Sequence, residues 1–129
     1  MGVYEKDVAL SRKYAAQFGL DTGLFYTDMN RMLQAVKPEA VVAFGSTNEH
    51  LSVVEACAPK GIHVMVEKPL ATTLAQAKKM ESLVRQHNIH LLTNYETSWY
   101  ATTEKSYQLV RDSNHVGRLT KAVFHHGHQ

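Results

Sequence analysis

Short apolar runs alternate with longer stretches in which apolar residues recur every three or four positions, and this continues along most of the chain. AVVAF (residues 40–44), HVMV (63–66) and HLLTN (90–94) are runs of strand length. Each is bounded by residues that end strands, Gly45 after the first and Glu67-Lys68-Pro69 after the second. Val3-Tyr4 reads as the end of a further strand. Helical spacing holds Ala9, Leu10, Tyr14, Ala15 and Phe18 together, with Asp7 as a cap and Gly19 as a stop. MNRMLQAV (29–36) predicts a shorter helix capped by Asp28 and ended by Pro38. A helix through 51–60 must be irregular in its last turn because of Pro59, and Gly61 closes it. A long helix over 71–87 places Leu74, Ala77, Met80, Leu83 and Val84 on one face, and residues 106–112 look helical. LTKAVFHH (119–126) alternates as a strand, with Leu119, Lys121, Val123 and His125 on one side.

Three successive strand-then-helix units with continuous apolar strands predict an α/β fold, a parallel sheet with helices on both faces. In open sheets of that kind ligands bind beyond the carboxyl ends of the strands. The chemically loaded residues fall there: Ser46, Thr47, Asn48 and His50 after the first run, Glu67 and Lys68 after the second, Tyr95 after the third.

Composition narrows the partners. The chain has 129 residues, 44% hydrophobic and 20% charged, which suits one compact domain rather than two and gives no sign of disorder. A net charge of +2, with basic residues scattered, argues against nucleic acid. No secretory leader and no apolar run near the roughly 20 residues of a membrane helix is visible, so a cytoplasmic protein without membrane attachment is expected. Cys57 is the one cysteine; it rules out an internal disulfide, and its apolar helical setting reads as packing. His126 and His128 share a face of the last run and His125 takes the other, but no local acid or cysteine completes a set of ligands, so no metal is expected.

The segment AFGSTNEHLSVVEACAPKGIHVMVEKPLATT resembles the core of the Gfo/Idh/MocA family of NAD(P)-dependent oxidoreductases. His50 stands at the family's spacing before Gly61-Ile62-His63-Val64, which leads into Glu67-Lys68-Pro69. The likeness extends over nearly the whole chain, and three departures qualify it. The glycine-rich G-x-G-x-x-G loop that binds the cofactor pyrophosphate is not in these residues. Thr47 stands where the family has Asn, with no preceding proline, and Ser98 precedes Trp99 where an arginine is frequent. The resemblance therefore implies an internal part of such an enzyme: residues 1–117 a partial dinucleotide-binding domain, 118–129 the start of a substrate domain. In the Rossmann strand order the missing first strand is central, so residues 40–44 should present an open edge that favours pairing with another chain, as in a homo-oligomer.

By the same resemblance Lys68 is the catalytic residue, placed near the nicotinamide to manage the proton of a substrate hydroxyl. Glu67 orients it or touches the cofactor, and Pro69 fixes the turn, commonly through a cis bond in relatives. Glu5 would meet the adenosine ribose, although Lys6 beside it could meet a 2′-phosphate, which leaves NAD and NADP open. Ser46, Thr47 and His50 would contact the cofactor, as would Tyr95, while Trp99 and Tyr100 would face a sugar-like or polyol substrate. The isolated 129 residues would bind cofactor weakly or not at all and would lack activity. The competing reading is a non-catalytic α/β domain that associates through its exposed sheet edge.

Overall fold

The computed structural model describes residues 1–113 and 115–123. They form two compact units that divide between Asn94 and Tyr95. In the first unit β1 (Val3–Tyr4) pairs in parallel with β2 (Phe25–Tyr26), and β3 (Ala40–Ala43), β4 (His63–Glu67) and β5 (Leu91–Asn94) form a second parallel sheet in that order. The helices between them are α1 (Val8–Phe18), α2 (Met29–Val36), α3 (His50–Cys57) and α4 (Leu74–His87).

The local chemistry explains most boundaries. Asp7 accepts hydrogen bonds from the amides of Ala9 and Leu10 at 2.8 and 3.1 Å, and Asp28 does the same for Arg31 at 2.8 Å. Each satisfies amides that the first helical turn leaves without partners. Gly19, at φ 63°, ends α1 in the left-handed conformation that glycine tolerates best. Beyond α3 the chain tightens into a 3-10 turn at Ala58–Lys60, as Pro59 requires, and Gly61 closes it at φ 69°.

The core lies between β4 and the helices. Val64 and Val66 from β4, Val54 and Cys57 from α3, Leu33 from α2 and Met80 from α4 are all within 2% of complete burial. Alternate residues of β4 point the other way and are only half-buried.

Several expectations change. β2 was not anticipated, because two aromatic residues are too short a run to show a period. The long helix begins at Leu74 rather than residue 71, since Thr73 takes an extended conformation and caps Gln76 at 3.2 Å. Leu74, expected on the core face with Met80, is 70% exposed. Tyr14 and Phe18 of α1 are also exposed, their rings 6.2 Å apart. Tyr14, with Leu10, borders a groove of about 770 Å³ between the two sheets. No strand lies there for α1 to cover, among the described residues. Residues 119–123 are not in a strand, and the remainder of that expected strand, with His125, His126 and His128, lies outside the described residues.

The open edge is present. Among the described residues β3 pairs with β4 alone, so its other side faces the groove, where Val42 is 50% exposed and Phe44 71%. The second unit holds a 3-10 turn (Glu96–Trp99), α5 (Ala101–Tyr107) and a π-helical turn (Gln108–Asp112), which agrees with the helix expected at 106–112.

Candidate functional site

Parallel register aligns the carboxyl ends of the three long-run strands. Ala43 lies opposite Val66, and Glu67 lies opposite Asn94. Three side-chain contacts then run along this end of the unit from one strand to the next.

The first joins β1 to β3. Lys6, just past β1, donates to Glu49 in the 3-10 turn (Thr47–Glu49) that leads into α3. Both side chains are exposed, and the pair raises the lysine pKa while lowering that of the glutamate. In each case the hydrogen bond is the main cause and the opposite charge the second. Glu5 folds back to accept from the amide of Asp7 at 2.9 Å. Glu49 also leans over Gly45, so a Cβ at that glycine would stand 3.2 Å from its carboxylate.

The second contact joins α3 to the turn after β4. His50 is only 1% exposed, and its Nδ1 lies 3.1 Å from the carbonyl oxygen of Leu70. A carbonyl can only accept, so Nδ1 carries the proton. Nε2 is buried and has no partner among the described residues, in a side chain that borders the groove.

The third joins β4 to β5. Asn94 donates to Glu67 Oε1 at 2.5 Å, while Glu67 Oε2 accepts from the amide of Lys68 at 3.1 Å. The Lys68-Pro69 peptide bond is cis. Lys68 itself is exposed and enters neither of the ion pairs found among the described residues.

The contacts tie the segment after β1 to the turn before α3, α3 to the turn after β4, and β4 to β5, and these segments carry Glu5, Lys6, Ser46, Thr47, His50, Glu67 and Lys68. Tyr95, Trp99 and Tyr100 belong to the second unit, where they are 57%, 78% and 51% exposed. Glu49, Asn94 and the Leu70 carbonyl were not anticipated. An acid at the start of α3 was visible, but its partner is 43 residues away. No group of three or more potential metal ligands occurs among the described residues.

Residues 1–95 match the model of the GFO_IDH_MocA oxidoreductase family, NAD-binding Rossmann fold. The chain belongs to that family. Among curated members it is 29% identical to the myo-inositol 2-dehydrogenase of Thermotoga maritima over 99 residues, 74% of this chain and 30% of that one. It is 28% identical to the dTDP-3,4-didehydro-2,6-dideoxy-alpha-D-glucose 3-reductase of Streptomyces antibioticus, across 92% of this chain and 35% of that enzyme. The chain thus spans about a third of the length of these relatives. The fold matches the scyllo-inositol dehydrogenase of Lactobacillus casei, solved with NAD(H) and scyllo-inositol, at a TM-score of 0.76 and 20% identity, over 91% of this chain and 34% of that one. In the Rossmann order a strand separates the positions of β1 and β3, which is where the Gfo/Idh/MocA chain has its groove.

Ser46, Thr47 and Glu5 carry groups that can hydrogen-bond a dinucleotide, two hydroxyls in the loop before α3 and a carboxylate just past β1. The loop before α3 does not suit the pyrophosphate: it carries the Glu49 carboxylate at the helix start, where a phosphate would otherwise sit.

Proposed function

We propose that these residues form part of the cofactor-binding core of an NAD(P)-dependent dehydrogenase acting on a sugar or polyol. One observation carries the reading. The carboxyl-end contacts hold the Glu67–Leu70 turn on both sides, yet leave Lys68 exposed and outside the ion pairs found among the described residues. A rigid backbone with a free cationic tip is what positioning a proton-transfer group needs. The relatives named as inositol dehydrogenases and as a sugar-nucleotide reductase support a substrate rich in hydroxyl groups.

In this reading a bound nicotinamide would supply hydride-transfer chemistry at a carbinol carbon. Lys68 hydrogen-bonds the substrate hydroxyl and manages its proton. Glu67 fixes the turn through Asn94 and through the Lys68 amide, and Ser46 and Thr47 offer hydroxyls to the cofactor from the loop before α3. Glu5 meets the ribose. In an active enzyme containing this segment, Lys68→Ala should lower turnover by about 10²-fold or more. Unchanged turnover would end the assignment.

The open edge of β3 favours a second reading: association of copies through residues 40–44, with or without catalysis. Sedimentation of the wild type and Val42→Lys separates the two. Association should weaken in the variant, and a wild type that is monomeric at all concentrations would exclude this reading.

A further inference from the structure

We infer that His50 is a positioning residue for Lys68, acting through the carbonyl of Leu70. The inference rests on the reading of Lys68 given above and adds a residue to it.

His50 occupies the first turn of α3, whose Val54 and Cys57 are fully buried, so the ring projects from an immobile support. Its Nδ1–H donates to Leu70 across 20 residues of sequence at 3.1 Å. Leu70 follows Lys68 by two positions and packs against the core. On the other side of Lys68, Glu67 is held by Asn94 at 2.5 Å. Lys68 therefore sits between two tethered residues, one tied to β5 and the other to α3.

Space-filling does not account for an imidazole here. A buried polar atom without a partner costs free energy, and Nε2 has none among the described groups. Leucine would fill the same volume without that cost. What leucine cannot do is donate to the Leu70 carbonyl, and that donor is the property the site uses.

The two ring nitrogens can be tested separately. The side-chain nitrogen of asparagine lies as many bonds from Cβ as Nδ1 does, whereas that of glutamine matches Nε2. Backbone order parameters of the 129-residue chain give the readout. Rigid backbone shows values near 0.85 and flexible backbone values below about 0.6. The amides of Lys68 and Leu70 should stay in the rigid range in the wild type and in His50→Asn, and fall toward the flexible range in His50→Gln, while Val64 and Val66 of β4 remain unchanged. Equal order in both variants would overturn the proposal, as would a loss spread evenly over β4 and α3. The wild type gives an independent check if a variant fails to fold: nitrogen-detected spectra should place the ring proton on Nδ1, and a proton on Nε2 alone would refute the bond to Leu70. Because this readout concerns only the turn, it can succeed even if Lys68→Ala leaves turnover intact, and the two claims fail separately.

Discussion

Met80 and Leu74 lie on the same helix and looked equivalent in the sequence, but their burial differs widely: Met80 is 0% exposed and Leu74 70%. Met80→Ala removes three side-chain heavy atoms from the cluster formed with Val54, Cys57, Val64 and Val66. At about 0.8 kcal/mol per buried carbon-sized group, transfer alone costs roughly 2.4 kcal/mol, and the cavity left behind brings the loss to about 3–4 kcal/mol. Leu74→Ala removes mostly solvated atoms at the first helical position, where alanine has the better helix propensity, so its effect should stay within about 0.5 kcal/mol. Urea unfolding followed by circular dichroism measures both, with the slope checked for constancy. The methionine variant should lose a large part of a total stability that is of order 5–15 kcal/mol for small domains. Equal losses, or a larger loss for the leucine variant, would mean that α4 packs with a different face than the structure shows.

Other consequences follow from single residues. Burial pushes the Cys57 thiol up to about 11, so a thiol reagent at neutral pH should label it only when the chain unfolds, and fast labelling of the native state would place it wrongly. Thr73→Ala removes the cap of α4 and should cost about 1 kcal/mol in thermal or urea unfolding, with Ser restoring most of it. The Lys6–Glu49 pair has a definite pH signature. The glutamate, lowered in the folded chain, contributes above its ordinary value of 4.5 and loses that contribution as pH falls through the folded value. The lysine, raised in the folded chain, contributes below 10.5 and loses it as pH rises through its folded value. Glu49→Gln should therefore flatten both arms of the stability profile, by a small amount because both groups are exposed, and a profile identical to the wild type would refute a contribution of the pair to stability.

The strands and helices were legible wherever a local period or a cap residue set them. Residues 40–44, 63–66 and 90–94 are strands within a residue or so of their expected limits, and Asp7, Asp28, Pro59 and Gly61 act as expected. The face of a helix was less legible, because Tyr14, Phe18 and Leu74 are apolar at helical spacing yet no strand or helix among the described residues covers them. Spacing reports a stripe, while burial depends on what stands opposite. In the site, sequence order placed Glu67 and Lys68 at a strand end. It could not show that Asn94 and Leu70 hold them, since those contacts span 27 and 20 residues.

The most direct test of the site is a titration of the 129-residue chain with NADH, followed residue by residue in amide chemical shifts. The proposal predicts weak binding, with shifts at Glu5, Ser46, Thr47 and Lys68 that rise together along one isotherm. Shifts confined to other parts of the chain would contradict it.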